Sequence, residues 1–563
     1  MAKQYYDNNN RKGNNYRNGD NRTQPIIDRN FCNPYSFVPI NDNVYLLEEN
    51  EEKELEYIHD IPFENALSGK IKIDFETLTP MCIRSTDGEN TNINGKYFIP
   101  GTSIKGMVRS VFEIITKSNF RNGVANSRYS MRDLRSSDYE LKSNEKTQKS
   151  GFLIQLNNHF YIVECFSEPW KYKEIEYEEH IRDLKMCRSV FEKYKKIKSH
   201  IIEYQDGTFS MWFFSGFMNN KEHEFLFDIP TNLNKQDFIP LEEDQYQDFR
   251  FIHEIENDNA SWKFWKRKLK NYNSIEAIKK DKYAGIVPCF FRVFEKDGHK
   301  CVRDLGFSFL YRQPYPHKTH DFLPKSHHQE GIDLTQSVFG FVKGNKAVKG
   351  RVLFSNALIQ NPKFESEQTF ILGSPKPSFY PFYIEQEKGE KLKNYFSAQA
   401  KLAGYKRYLI HPKAEEGNIP KSKVTTSFRP LSVGVRFSTY IYFHNLRNYE
   451  LGALLAAITF CMKQNQCFHS LGYAKPYGYG KLKVKNIELS SNENVTMEWL
   501  YKSFIQRICK KCHYEDENTY LSSINNLFVL AMGNNNKNQI RYPDMQKKEF
   551  NLIKNQKLSL KDF

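Results

Sequence analysis

Two periodicities meet early in this chain, and together they restrict its architecture. In "GKIKIDFETLTP", residues 69–80, Ile71, Ile73 and Phe75 alternate with Lys72, Asp74 and Glu76. A period of two marks a strand with one face buried and the other in water. Further on, in and after "YFIPGTSIKGMVRS" (97–110), Ile104, Met107, Val108, Val111, Phe112 and Ile115 recur at three- and four-residue steps. That is the apolar stripe of an amphipathic helix. A half-buried strand followed by a one-sided helix is satisfied when each covers the other, so the fold class expected is α+β.

The pattern returns late in the chain. "VGVRFSTYIYFHNL" (433–446) reads as a strand, and Asn448 starts a helix carrying Leu451, Leu454, Leu455, Ile458 and Met462. "LGYAKPYGYGKLKVKNIELS" (471–490) is a glycine-rich loop feeding a strand, with Leu482 and Val484 on one face and Lys481, Lys483 and Lys485 on the other. Strand, loop and helix thus occur twice, and two α+β modules are expected. The division read from the sequence is a disordered basic tail over 1–30, a linker over 31–68, a first module over 69–170, an insertion over 171–280, a second module over 281–490 and a helical extension over 491–563. The tail is rich in Asn, Arg, Tyr and Gly and lacks apolar surface to bury. In the middle, 151–166 reads as a hairpin and 178–198 as a helix.

Composition enters as a constraint on partners. The 563 residues carry 82 Lys and Arg against 67 Asp and Glu, a formal charge of +15, which favours a polyanionic partner. The start of the chain lacks the apolar core of an export signal, and no run of about 18 apolar residues occurs. A cytoplasmic protein with no membrane partner is expected, with its ten cysteines reduced. "CKKCH" (509–513) formally matches a haem-attachment pattern, but export is lacking and a zinc site would need a distant fourth ligand. Two ordinary thiols on a helix is the simpler reading. His317, His320, His327 and His328 lie in a proline-punctuated loop and read as structural or RNA-contacting.

"GTSIKG" (101–106) begins like a phosphate loop, but Met107 and Val108 stand where Lys and Ser or Thr are required, so a nucleoside triphosphate loop is excluded. What remains is a helix start with Thr102 or Ser103 as cap, free N–H groups suited to a phosphate, and Lys105 and Arg109 four apart on one face. Gly106 is disfavoured inside a helix by about 1 kcal/mol and admits a close neighbour. The later loop interleaves Tyr473, Tyr477 and Tyr479 with Lys475 and Lys481, a pattern that suits stacked bases and tracked phosphates. The alternative is a tight turn with tyrosines packed beneath it.

The letters also carry a resemblance. "IPGTSIKGMVRS" resembles the "IPGSSLKG..R" motif of the CRISPR-associated RAMP superfamily, which follows the first strand of a ferredoxin-like, RRM-like RNA-binding fold. "LGYAKPYGYGKLKV" is similar to its glycine-rich loop, and "DLTQSVFGFVKGNKAVKGRVLFSNA" (333–357) to its recurrent segment between them. The resemblance implies two ferredoxin-like RAMP modules with a large helical and β insertion, in a subunit of a type III CRISPR antiviral effector. Its expected partners are crRNA or target RNA and other RAMP subunits. RNA binding carries over to Thr102, Ser103, Lys105, Gly106 and Arg109 in the first motif, and to Gly472, Lys475, Tyr477, Gly478, Tyr479, Gly480 and Lys481 in the second. In cleaving relatives an aspartate after the first strand acts with a divalent metal, a role that would fall on Asp87. Binding itself needs no cofactor. Processing of precursor crRNA and a scaffold role without RNA are the other readings.

Overall fold

The computed structural model describes residues 27, 29–85, 89–134, 136–143, 148–165, 170–171, 183–184, 186–197, 200–216, 224–256, 258–422, 424–533, 539–545 and 547–563. Nearly all of the expected tail, and Asp87, lie outside these residues, as do 178–182, 185 and 198 of the helix expected over 178–198; within it, Val190–Lys196 is helical.

The early alternating segment is a strand, β1 (Leu67–Thr77), followed by α1 (Gly101–Ile115), β2 (Val352–Phe354), β3 (Arg436–Leu446), α2 (Asn448–Thr459) and β4 (Lys481–Ser491). These four strands lie in one antiparallel sheet in the order β2, β3, β1, β4, with the short strand His469–Ser470 beside β4. The two units read as separate modules therefore interleave: β1 sits between the two late strands. Register explains why. Ile73 lies opposite Thr439 and Phe75 opposite Phe437 on β3, while on the other side Phe75 faces Val484 and Ile73 faces Ile487. Each strand alternates in phase, so one common face is apolar, and α1 and α2 cover it together. Neither unit buries its sheet face alone.

A second core lies between α1 and β2 in sequence. Its sheet runs Phe238–Leu241, His159–Glu164, Lys149–Leu156, Val287–Lys296, His299–Gly306, and the expected hairpin over 151–166 is its centre. The strands over 287–306, which the sequence reading grouped with the later module, pair with Lys149–Leu156 instead. The apolar faces of that pairing and of the neighbouring sheet around Met211, Phe213 and Phe227 close this core.

The segment 333–357 ties β2 to α2. Asp333 caps the helix Leu334–Phe339, accepting from the N–H groups of Gln336 at 2.8 Å and Asn119 at 3.0 Å. Arg351 and Glu450, both fully buried, form a pair in which Arg351 Nη1 donates to Glu450 Oε2 at 2.8 Å and Nη2 to Ser337 Oγ at 2.7 Å. Burial would raise the Glu450 carboxyl, but Arg351 outweighs it and holds it below the usual range. In the histidine-rich loop, buried His327 accepts from the Phe120 N–H at 3.0 Å and, through Nε2, bonds the Asn41 carbonyl at 2.8 Å. Cys509 and Cys512 lie on the helix Met497–Cys512.

Candidate nucleic-acid interface

The two motifs far apart in sequence meet at one groove. Backbone bonds bring them together: Tyr473 N–H donates to Cys82 O at 2.8 Å, and Gly480 N–H to Pro80 O at 2.9 Å. The glycine loop thus docks onto the segment that leaves β1. Opposite it runs one face of α1, presenting Ser103, Gly106, Met107 and Ser110. Cys82–Ser85 and the segment Lys406–Tyr408 complete a groove of about 620 Å³.

Its charge comes largely from outside the motifs. The strand Tyr405–Tyr408 pairs antiparallel with Tyr35–Val38, which carries Arg407 to α1, where Nη1 donates to Ser110 Oγ at 3.2 Å. Lys475 stands close enough to disfavour a second cation. Burial pushes Arg407 down to about 10. Burial, then Arg407, pushes Lys475 down to about 8. Burial likewise holds Lys406 near 8, where its Nζ donates to Tyr383 Oη at 2.9 Å. Among the described residues no carboxylate pairs with any of the three. Clustered, half-buried cations without an acid are unfavourable to the free protein and favourable to an anion. Arg84 adds an exposed guanidinium 5.6 Å over the Tyr473 ring.

Several residues sit otherwise than the sequence implied. Neither Thr102 nor Ser103 caps α1; Pro100 holds that position without a side-chain bond. The helix start is covered by the segment after β2, with Gly101 N–H donating to Asn356 Oδ1 at 2.8 Å. It therefore does not offer that amide to a phosphate. Lys105 and Arg109 do share a face, but it is turned from the groove lining. Both lie 5.8 Å over the Phe339 ring, and Arg109 is paired with Glu113 at 2.8 Å. Gly106 meets no protein neighbour, and a side chain there would enter open space at the groove.

In the glycine loop, Tyr477 stacks on Phe370 with centroids 4.2 Å apart and donates to Ile371 O, while Tyr479 is buried and donates to Glu415 O. They pack beneath the turn rather than facing a base. Gly472, Gly478 and Gly480 hold φ of +95°, +84° and +82°, and a Cβ on each would lie 2.5 Å or less from a carbonyl of Cys82, Lys413 or Leu471. Close approach here is protein to protein. Lys481 lies over the Phe468 ring at 4.2 Å. Of the sequence-predicted residues, Ser103, Gly106, Gly472, Tyr473 and Lys475 line the groove. Sequence reasoning missed Arg84, Ser110, Lys406 and Arg407; only the basic tripeptide Lys406-Arg407 within "YKRY" signals them. Among the described residues no group of three or more His, Cys, Asp or Glu is placed to hold a metal ion. Nor is any described helix long and apolar enough to cross a membrane.

The family model of the RAMP superfamily matches residues 74–280. No curated protein matches the chain. Among solved structures it is similar to a chain of the type III-B Cmr-beta complex bound to cognate target RNA, at 9% identity and a TM-score of 0.18, covering 75% of this chain and 98% of that one. It is also similar to Csc2 of Thermofilum pendens, at 12% identity and a TM-score of 0.14, covering 40% of this chain and 60% of the other.

Proposed function

We propose that this chain is an RNA-binding subunit of a type III CRISPR effector, holding crRNA or target RNA by its phosphates in the groove between α1 and the glycine loop. The observation that carries the reading is the pair Arg407 and Lys475, two half-buried cations with no acid partner among the described residues, at the junction of the two RAMP-like motifs. Phosphates supply the missing negative charge. Strand order and connectivity support a single ferredoxin-like module, β1–α1–β2–β3–α2–β4, with the second core inserted between α1 and β2. Gly106 keeps the helix wall low, so that a backbone lies close to α1. Lys105 and Arg109 stand on the flank of that wall. Arg84 over Tyr473 offers a cation and a ring at the mouth of the groove, a combination that suits single-stranded RNA.

The test is purification of the tagged chain from its native host, with sequencing of the RNA that accompanies it. Discrete RNAs sharing a repeat-derived end, together with other RAMP subunits, are expected. Recovery without RNA at low salt would overturn the reading in favour of a scaffold.

A further inference from the structure

A second cavity opens beside the groove and shares part of its wall. Its volume is about 300 Å³, and Ser110, Lys406 and Arg407 line both spaces. Its character differs. The groove is polar and cationic, whereas this cavity is walled by Phe37, Phe120, Tyr129, Tyr383, Tyr395 and Tyr405. It sits at the small end of ligand pockets, which begin at about 300 Å³, and so has room for one planar aromatic group rather than several. Beyond the tyrosine hydroxyls, its polar side chains are Thr319, Glu113 and the shared Ser110, Lys406 and Arg407. Glu113 Oε1 accepts from Arg109 at 2.8 Å, which fixes the carboxylate. An apolar aromatic pocket with few polar groups, joined to a phosphate-binding groove through its cations, matches the two halves of a nucleotide.

We propose that this cavity takes one unstacked base of the RNA held in the groove, with that nucleotide's phosphate at Arg407 and its base among the tyrosines. The inference rests on the RNA-binding reading of the groove. Aromatic packing around a single base is sequence-tolerant and contributes about 1–3 kcal/mol, so one position of the bound strand is anchored more strongly than its neighbours. Shared lining gives the anchor its register: the phosphate at Arg407 selects which base enters.

Gly123 provides a plug. It lines the cavity at φ −102°, a conformation open to any residue, and a Cβ there meets nothing closer than 3.7 Å. Gly123 lines the cavity and not the groove, so Gly123→Phe acts from the cavity side, and Gly123→Ala is the control for folding. The experiment measures binding of a single-stranded RNA and of a set in which each nucleotide in turn is made abasic. For the unaltered protein one position should lose roughly 5- to 100-fold in affinity, with its neighbours losing far less. With Gly123→Phe the intact RNA should bind as weakly as that abasic strand does to the unaltered protein, and the position should no longer matter. A flat abasic profile alongside tight, Arg407-dependent RNA binding overturns the pocket and leaves the groove standing. RNA binding that is insensitive to Arg407 fails the groove first. Titration with free nucleoside monophosphates separates the remaining source: binding abolished by Gly123→Phe together with a flat abasic profile assigns the cavity to a free nucleotide and overturns its role in holding RNA.

Discussion

Arg407→Gln separates a working cation from a structural one, because the two roles predict opposite effects on the free protein. Burial holds this guanidinium near 10 rather than 12.5, which corresponds to at most about 3 kcal/mol against its charged form. Its side chain is partly exposed, and solvent screening reduces that to about 1 kcal/mol. No described acid recovers this cost, and the one protein bond lost is to Ser110 Oγ, worth about 1 kcal/mol. The variant should therefore melt at an unchanged or slightly higher temperature. RNA binding should move the other way. Loss of a charged hydrogen bond to phosphate costs about 1.5–3 kcal/mol, so affinity for single-stranded RNA should fall roughly 10- to 100-fold. Each phosphate neutralised on a single strand contributes about 0.7 to the slope of log affinity against log salt. With Arg84, Lys406, Arg407 and Lys475 in the groove, that slope should be near −3 and fall to about −2 in the variant. Fluorescence anisotropy with a labelled oligonucleotide between about 50 and 300 mM salt reads both quantities. Lys105→Ala, which removes a cation outside the groove lining, is the comparison and should change both less. Unchanged affinity and slope in Arg407→Gln would refute the groove as the phosphate path. Weaker binding accompanied by a clear drop in melting temperature would mark Arg407 as structural.

Other consequences are as direct. Lys475 is held near 8 in the free protein by burial, then by Arg407, and a bound phosphate must raise it. Binding then takes up a proton: affinity should be level below about pH 7 and fall as pH rises from 8 to 9, by up to tenfold per unit, and Lys475→Arg should flatten the profile. Gly480→Ala should destabilise by at least about 1 kcal/mol, since its φ is +82° and the new methyl would meet Leu471 O. Gly106→Ala should instead stabilise α1 by up to about 1 kcal/mol while weakening RNA binding, a divergence that chemical denaturation and anisotropy together reveal. Arg351→Met leaves buried Glu450 with Arg447, at 3.9 Å, as its remaining cation and should cost up to about 3 kcal/mol; a stable variant would show that this pair does not hold the segment after residue 333 to α2.

Much of the frame was legible because it rests on local periods. Ile71, Ile73 and Phe75 alternate in the sequence and are buried in the sheet, and the stripe from Ile104 to Ile115 is the buried face of α1. What periodicity does not carry is pairing. The strand patterns at 69–80 and 433–446 were each complete, and nothing local says that they share a ladder rather than build two modules. The glycine loop lines the groove through Gly472, Tyr473 and Lys475, but Tyr477 and Tyr479 pack inward. A motif of Tyr and Gly is compatible with a stacking platform and with a folded turn; the carbonyls of Lys413 and Leu471 lying against Gly478 and Gly480 decide for the turn. The Lys413 contact comes from a segment that carries no motif.

The same holds for the charge in the groove, and here the structure adds what composition alone does not. A formal charge of +15 can be spread thinly over a surface, and several basic side chains are answered locally: Arg109 by Glu113, Arg351 by Glu450, Arg507 by Glu51. The chain has 67 acids to distribute, so the lack of one beside Lys406, Arg407 and Lys475 among the described residues is not a shortage. All three are partly withdrawn from water, where an unanswered charge is most unfavourable, and they converge on one open groove between the two motifs. A folded chain retains such an arrangement at a cost to its own stability, and an anionic ligand in that groove recovers the cost. Stability lost in the free state and regained on binding is what Arg407→Gln measures from both sides.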